Sequence, residues 1–307
     1  MKTILYFLFF GFIVSSIVGL LLSWLDRKVT ARVQYRVGPP LFQPFIDIVK
    51  LMGKELLIPR GASKIMFLTA PLLGLVSIMI VSTLLCLVNI IPKMTFFGDL
   101  IVVLYFLVLP SLSIILAGFA SKNPLASLGA SREMKLVLAY ELPFILAILV
   151  PVLKSGLTIK IGEIIQYQAV SGAVLASCSG VISFIVILLC TQAKLGLVPF
   201  DVAEAETELA GGALIEYSGP ALAMFKLMKA IMLFVLPYFM TVMFVGGFNF
   251  SGAVAIKGLS TFVGIVVLVV VIRNTNPRLR IDQILKFFWG PVTVLAIAAV
   301  LLAGVGL

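Results

Sequence analysis

Histidine is absent from the 307-residue chain, and cysteine occurs only three times. Cys86, Cys178 and Cys190 each fall in an apolar run, without the close pairing that cluster or zinc ligands have. Thiolates and imidazoles supply most protein ligands of zinc, haem and iron–sulfur clusters. We therefore expect no metal site, no redox cofactor and no catalytic residue on this chain, so that any redox chemistry belongs to partner subunits.

Charge is also scarce: 12% of residues are charged, 62% are hydrophobic, and the mean hydropathy is +1.21. This composition excludes a soluble globular domain. Apolar runs of about 20 residues, the length at which a helix crosses hydrocarbon, recur along the chain. We predict an all-α polytopic membrane protein, with residues 1–307 forming one integral membrane domain. The eight predicted spans are 4–25, 66–90, 100–120, 136–153, 173–197, 219–245, 259–272 and 288–305.

Basic residues are distributed unevenly between the two sets of loops that these spans define. Because cytoplasmic loops carry an excess of lysine and arginine, the count predicts that both termini face outward and that the charged loops face the cytoplasm of the cell membrane. The net charge of +10 reflects this asymmetry and anionic lipid, so nucleic acid is not expected as a partner. Fifteen inner residues, namely Arg27, Lys28, Arg32, Arg36, Lys50, Lys54, Arg60, Lys64, Lys122, Arg132, Lys135, Arg273, Arg278, Arg280 and Lys286, compare with five outer ones, Lys2, Lys93, Lys154, Lys160 and Lys257.

The first inner loop, residues 26–65, is too long to be a simple turn. Its second half has helical periodicity and predicts an amphipathic helix in the membrane surface, serving either as a structural collar or as the lining of a partner interface. The apolar face comprises Phe45, Ile48, Val49, Met52 and Leu56, and the polar face comprises Asp47, Lys50 and Lys54.

Acidic residues number thirteen, and five of them lie between Asp201 and Glu216, in the loop of residues 198–218. Asp201 followed by Glu204 fits a helix cap, which would place Glu204 and Glu208 on one helical face. Capping leaves Glu206, Glu208 and Glu216 unexplained, and crowded carboxylates raise one another's pKa. We therefore predict either an entrance for protons or ions, or a docking surface.

Three further charged residues fall inside apolar runs. Glu141 precedes Pro143, which leaves the carbonyl of Ala139 without its helical donor and favours a hydrated point in the bundle. Lys226 and Lys229 share one face of the sixth span and are expected to pair with Glu141 or Glu216, as static counter-ions or as members of a proton relay. Stability alone, through an acid paired with a lysine, is the alternative role of Glu141.

Three segments together resemble the subunit 1 family of complex I, the NADH:quinone oxidoreductase, over nearly the whole chain. The family's acidic loop between helices five and six is matched by Phe200-Asp201, Glu204, Glu206, Glu208 and Glu216-Tyr217. Its first inner loop and its late basic segment, here within 273–287, are matched by Asp26-Arg27-Lys28, Arg32, Gln34, Arg36, Gly38-Pro39, Gln43-Pro44, Asp47, Lys50, Lys54-Glu55 and residues 273–283. Tyr140-Glu141 and residues 129–132 agree with its fourth helix and the loop before it.

The resemblance implies a subunit that anchors the peripheral redox arm and carries a water-filled path towards antiporter-like subunits. The acids implied in this path are Glu141, Glu204, Glu206, Glu208 and Glu216, to which Asp201, Lys226 and Lys229 are added as candidates from their positions. Candidates for docking the redox arm are Arg27, Arg32, Arg36, Asp47, Lys50, Arg273, Arg278, Arg280 and Asp282, although positive-inside orientation alone also accounts for the arginines.

Two departures from the quinone-using branch narrow the expectation. Only Pro40-Leu41-Phe42 separates Gly38-Pro39 from Gln43-Pro44, and Lys229 stands where quinone-using relatives often carry glutamate. The shortened loop resembles relatives in membrane-bound [NiFe]-hydrogenases, formate hydrogenlyases and sulfur-reducing complexes.

We therefore expect the anchor subunit of a ferredoxin-linked respiratory complex that couples electron transfer to proton or sodium translocation. Its expected partners are hydrogenase-like catalytic and iron–sulfur subunits, antiporter-like membrane subunits, and the lipid bilayer. The catalytic partners would carry iron–sulfur clusters and, in the hydrogenase form, a [NiFe] centre. A quinone-chamber subunit of complex I is the first alternative. A stand-alone ion transporter is weaker, because it would call for an inverted repeat and discontinuous helices.

Overall fold

The computed structural model describes residues 5–204, 206–248 and 253–306, without the side chains of residues 206–207 and 253–255. Within those ranges the regular structure is helical and no strand occurs. The helices are α1 (Phe7–Val33, whose first turns to Val14 are a π-helix), α2 (Gln43–Met52), α3 (Lys64–Ile90), α4 (Asp99–Ala120), α5 (Pro124–Lys154), α6 (Ile161–Ser171), α7 (Cys178–Lys194), α8 (Glu206–Leu209), α9 (Gly219–Val245), α10 (Ala253–Thr275) and α11 (Ile281–Val305).

The predicted all-helical, multi-span architecture is confirmed. Seven of the described helices are long and apolar enough to cross a membrane, and the fifth predicted span corresponds to the shorter, 17-residue α7. Several predicted boundaries were wrong. α1 continues to Val33 and therefore contains Asp26 and Arg27, and α5 begins at Pro124, twelve residues before the predicted span. A helix continues beyond its apolar stretch wherever its charged turns find water or ion partners. Hydropathy alone therefore predicts helices that are too short.

The centre of the bundle is α9, which packs against α1, α2, α3 and α10. In its most apolar 18-residue stretch, 94% of the residues are buried. Close helix contact depends on a small residue at Gly19, where an added Cβ would lie 2.4 Å from the carbonyl oxygen of Ala230. α5 packs between α4, α7 and α11. These two helices, α9 and α5, carry the partly buried side chains of Lys229 and Glu141.

The first inner loop, the acidic loop and the late basic segment meet at one end of the bundle, which is called the charged end here. The backbone N–H of Leu279 donates to the carbonyl of Pro199 at 3.1 Å, and that of Leu57 donates to Ser218 Oγ at 3.3 Å. The opposite end is closed by α6, where the Asp99 carboxylate accepts a hydrogen bond from the backbone N–H of Ile161 at 2.9 Å. The assignment of the charged end to the cytoplasm stays a prediction.

The predicted amphipathic helix is present as α2, and its predicted apolar residues divide between the core and the exposed surface. Phe45 and Ile48 lie against the core, whereas Val49 and Met52 are exposed, and Leu56 lies beyond the end of the helix. Val49 is 72% exposed, so this face remains available to lipid or a partner.

Asp47 fastens α2 to the first span. Arg27 donates to its carboxylate at 3.0 Å, and Gln43 donates at 2.8 Å. Burial acts to raise the pKa of the Asp47 carboxyl, but the hydrogen bonds from Gln43 and Arg27 outweigh it and hold this pKa below its ordinary value. α2 is therefore anchored by an ionised aspartate at neutral pH.

Candidate functional site

The acidic loop is irregular, and the expected helical cap at Asp201 was wrong. Asp201 and Val202 have no regular structure, Ala203 and Glu204 form a turn, and Glu206–Leu209 forms a short helix. Gly212 has φ +61°, and a Cβ on it would lie 1.9 Å from the carbonyl oxygen of Ala203. This close backbone approach cannot be reached from a continuous helix. Glu204 and Glu208 therefore do not share a helical face.

A charged cleft of about 420 Å³ opens between α1, the acidic loop, α9 and the segment that follows α10. Because one water needs roughly 10–15 Å³ of such volume, the cleft has room for many waters. Its ionisable lining consists of Asp26, Arg27, Asp201, Glu204, Lys226, Lys229, Arg273 and Arg278.

The three acids of the charged cleft each meet a base from another segment. Asp26 pairs with Arg273, Glu204 pairs with Lys229, and Asp201 pairs with Arg278 at 2.7 Å. One carboxylate oxygen each of Asp26 and Glu204 is buried without a protein hydrogen-bond partner. Leaving a buried acceptor unsatisfied costs about 1–3 kcal/mol, which favours water at both oxygens.

Asp201 differs from an exposed aspartate in its affinity for protons. Burial raises the pKa of its carboxyl, the charge of Arg278 lowers it, and Glu204 raises it again; the net direction is upward. Asp201 thus accepts a proton at a higher pH than a free aspartate does.

A second, smaller cavity of about 20 Å³ continues from the charged cleft into the bundle. It shares Asp201, Glu204 and Lys229 with the cleft, and adds Glu133 from α5 and Lys194 from the end of α7. Its volume corresponds to about one or two water positions. Glu133 is only 5% exposed, and the groups that interact with it electrostatically include Glu204, Lys229 and Lys194.

Lys194 extends the row of ionisable groups to Glu141. Its Nζ lies 2.7 Å from Glu141 Oε2, 4.8 Å from the centroid of the Tyr140 ring and 4.4 Å from that of Phe144. The Lys194 side chain has no exposed surface. A carboxylate and two aromatic faces therefore replace water around a buried ammonium group.

The charged row is defined here as Glu204, Lys229, Glu133, Lys194 and Glu141. Glu133 and Glu141 are eight residues apart, which is about 12 Å along α5. Ser111 on α4 reaches both Glu133 and Tyr140, with 3.1 Å between Ser111 Oγ and the Tyr140 hydroxyl. The charged row leads from the cleft into the membrane-spanning part of α5.

The partner of Lys229 is neither of the two acids considered from the sequence. Lys229 pairs with Glu204 rather than with Glu141 or Glu216, and Glu141 pairs with Lys194. Lys194 is the last residue of α7, which packs against α5, and the chain after α7 brings Glu204 of the acidic loop to Lys229 on α9. Lys226 lines the charged cleft.

Two of the expected path acids lie away from the charged row. Glu216 Oε1 accepts a hydrogen bond from Asn123 Nδ2 at 2.5 Å, and Glu208 pairs with Arg132 at 2.5 Å. The Glu208 side chain is 59% exposed. The side chain of Glu206 lies outside the described residues.

The docking candidates fall into two groups. Arg27, Asp47 and Arg273 are engaged in ion pairs within the chain, and Arg278, although exposed, holds Asp201. The exposed remainder surrounds the charged end and comprises Arg32, Arg36, Lys50, Arg280 and Asp282.

Glu133 and Lys194 were missed from the sequence although each left a signal. Buried residues recur on α5 at intervals of four and three, and the positions Ala126, Ala130, Glu133, Val137 and Tyr140 follow that pattern. A carboxylate in such a stripe points into the core. Lys194 lies near the end of the fifth predicted span, 173–197, which is also where an ordinary interfacial lysine stands.

No group of three or more His, Cys, Asp or Glu side chains suited to holding a metal ion occurs in the part of the chain that the structure describes. The carboxylates of the charged cleft are paired with amines and guanidiniums. Such groups can bind, hold and pass protons.

Comparison with known proteins identifies relatives along the whole chain. The family model described as NADH dehydrogenase matches residues 4–304. An NADH-quinone oxidoreductase subunit of Dehalococcoides mccartyi is 32% identical over 304 residues, covering 94% of this chain and 82% of that protein. The corresponding NADH-quinone oxidoreductase subunit of Helicobacter acinonychis is 32% identical, covering 95% and 94%. A chain in the structure of a membrane-bound sulfane sulfur reductase, an archaeal respiratory membrane complex, is 28% identical, with a TM-score of 0.88 over 99% of this chain and 100% of that one.

Proposed function

The chain belongs to the NADH dehydrogenase family, the complex I subunit 1 type of membrane subunit in respiratory oxidoreductase complexes, and on that premise we propose a finer role. It is the membrane anchor of a ferredoxin-linked complex of the hydrogenase or sulfur-reductase type. It docks the peripheral redox module at its charged end and couples electron transfer to proton or sodium translocation.

The charged row is the observation that carries the coupling role. Placing ionisable groups inside a membrane protein costs free energy. Here five of them adjoin one another, from a cleft with room for water to Glu141 in the membrane-spanning part of α5. A change of charge in the cleft alters the balance between Glu204 and Lys229, and the low dielectric of the bundle transmits that change to Glu133 and Lys194. Glu141, one-fifth exposed between the exposed residues Leu138 and Leu142, is the outlet towards a neighbouring membrane subunit.

The docking role is supported by the chemistry of the exposed charged end. Arg32, Arg36 and Arg280 are exposed there, beside the half-packed α2 with its exposed Val49. Guanidinium groups suit recognition of carboxylates on a partner. The redox module, with its iron–sulfur clusters, is the partner that this surface would hold.

The hydrogenase or sulfur-reductase branch is favoured by the short connection before α2. Only three residues, Pro40 to Phe42, join Gly38-Pro39 to Gln43-Pro44. The solved chain of the sulfane sulfur reductase matches this chain over its full length, which fits the same branch.

A complex I role with quinone as acceptor is the second candidate. It is favoured by the relatives from Dehalococcoides mccartyi and Helicobacter acinonychis, which are named as parts of NADH-quinone oxidoreductases and are 32% identical to this chain. In that role the cleft and α2 would form part of a quinone chamber.

Purification of the native complex through a tag on this chain tests the proposal. We expect iron–sulfur subunits and antiporter-like subunits in the preparation, and oxidation of reduced ferredoxin with protons or polysulfide as acceptor. Nickel would assign the hydrogenase form. Bound quinone with quinone reduction would favour complex I instead, and a tagged chain without any redox partner would favour a transporter and overturn the proposal.

A further inference from the structure

The charged row contains more acids than bases. Glu204, Glu133 and Glu141 supply three carboxyl groups, whereas Lys229 and Lys194 supply two amines. Each amine already has a carboxylate partner, Lys229 with Glu204 and Lys194 with Glu141. The third carboxyl, Glu133, lies between the two pairs and is the surplus acid.

Glu133 is the most enclosed acid of the charged row. It is 5% exposed, whereas the Glu204 and Glu141 side chains are 29% and 21% exposed. Its identified hydrogen-bond donor is the hydroxyl of Ser111. One neutral hydroxyl compensates a buried carboxylate poorly, because an unpaired ion in a low-dielectric interior costs several kcal/mol or takes up a proton instead.

The surroundings of Glu133 supply charge from only some of the elements packed on α5. The acidic loop brings Glu204 and also Asp201, which is paired with Arg278. α9 brings Lys229, and α7 brings Lys194 with the Cys190 thiol one turn earlier. α4 brings the neutral Ser111. On α11 the ring of Phe288 lies 6.4 Å from the ring of Tyr140, so that side is apolar.

We propose that Glu133 is a proton-binding site at the centre of the charged row, neutral while both lysines are paired with their own glutamates. The charge count then balances: two ammonium groups face two carboxylates, and the third carboxyl carries the proton. Glu133 releases that proton when Lys229 or Lys194 leaves its partner and turns towards it. The proton site stands on the geometry alone, and its use in coupling rests on the proposed function.

The route for that proton is short. The cavity of about 20 Å³ beside Glu133 adjoins the charged cleft through the residues that both share. On release, the Glu133 O–H bond breaks, the carboxylate keeps the electron pair, and a water in the cavity takes the proton. The same steps in reverse reload Glu133 from the cleft.

Infrared spectroscopy of the purified complex tests the site without relying on turnover. A protonated carboxyl has a carbonyl stretch above the amide band, and that stretch shifts in D₂O. We expect one such band to be lost in Glu133→Gln and to move in Glu133→Asp, which keeps the carboxyl. Glu204→Asp should leave the frequency of this band unchanged. Glu163→Gln, at the opposite end of the bundle in an exposed pair with Lys160, is the matched control and should leave the band intact.

The outcomes separate the proton site from the coupling role. A band that survives Glu133→Gln, or that moves in Glu204→Asp instead of Glu133→Asp, overturns the assignment to Glu133. A band lost in Glu133→Gln with normal ion translocation per electron would leave the proton site standing and remove its part in coupling. If Glu133→Gln fails to assemble, the position of the band in Glu133→Asp still decides the assignment.

Discussion

Lys194 is the residue whose environment is most demanding. Its ammonium group has no exposed surface and depends on Glu141 and on two aromatic rings. Removing one partner of a buried ion pair costs about 3–5 kcal/mol, because the other charge stays buried and uncompensated. Glu141 therefore has a structural role as well as the proposed functional one.

Glu141→Gln alone should lower the stability of the assembled complex. We expect a loss of several degrees in the unfolding temperature, because Lys194 would be left charged and buried. The double variant Glu141→Gln with Lys194→Gln should recover most of that loss. Thermal unfolding of both purified complexes is the measurement, and an equal loss in the two would contradict the account that the uncompensated charge of Lys194 causes the loss.

Arg278→Gln should raise the pKa of Asp201 further. Burial already raises this pKa, and the Arg278 charge is the strongest group acting against it. Because the folded-state pKa lies above the unfolded value, the native chain binds more protons in the window between them. Stability from Asp201 therefore falls as pH rises through that window. An infrared titration, assigned by subtracting the Asp201→Asn spectrum, would contradict the account if the pKa stayed the same or fell.

Individual acids could be predicted from the sequence more readily than their partners. Glu141 stood out because an acid in an apolar run is rare, and it is indeed part of the charged row. Its partner Lys194 lies 53 residues away on another helix. Which faces of two helices meet depends on packing across the bundle, and a single sequence does not contain that information.

The acidic loop is the element on which the charged row depends. Gly212 has a left-handed conformation and passes close to the carbonyl of Ala203, immediately before Glu204. Tyr217 closes the loop. Its ring stacks on that of Phe67 with 4.0 Å between the ring centroids, and its hydroxyl donates a hydrogen bond to the Phe67 carbonyl at 3.2 Å. The loop thereby holds Glu204 against Lys229 without forming a long helix.

Gly212→Ala should displace Glu204 from Lys229. An alanine in the left-handed region costs about 1–2 kcal/mol, and its Cβ would also overlap the Ala203 carbonyl. We expect faster proteolysis of the loop and weaker ion translocation. Gly264→Ala is the matched control, since no atom lies within 4 Å of the added Cβ. Equal rates of proteolysis and equal ion translocation in the two variants would contradict the claim that close packing at Gly212 holds the acidic loop in place.

Helices as elements were predicted well, and their ends were not. The apolar runs correctly indicated α3, α4, α5, α9 and the others, because lipid leaves the backbone little alternative to a helix. The acidic loop was expected to start a helix at Asp201 from its capping pattern. Glycine packing against a distant carbonyl overrides such a local signal, and only the folded chain reveals the contact.

At the scale of the whole molecule, the orientation in the membrane is the first property to measure. Cys178 is exposed at the end of the bundle opposite the charged end, whereas Cys86 and Cys190 are buried. We expect a membrane-impermeant maleimide to label Cys178 from outside intact cells and to leave Cys178→Ser unlabelled. Labelling of Cys178 only in inside-out vesicles would contradict the outward placement of the termini.

The central claim is that the charged row links the redox module to ion movement across the membrane, and the ions translocated per electron in reconstituted vesicles test it most directly. In the charge-balanced variant Glu141→Gln with Lys194→Gln, we expect this ratio to fall by about tenfold or more, with electron transfer within about twofold, because relay groups typically contribute about 10²–10⁴ to proton transfer. The control, Lys160→Gln with Glu163→Gln, removes an equal pair at the opposite end and should leave the ratio unchanged. An unchanged ratio in both variants would contradict the account.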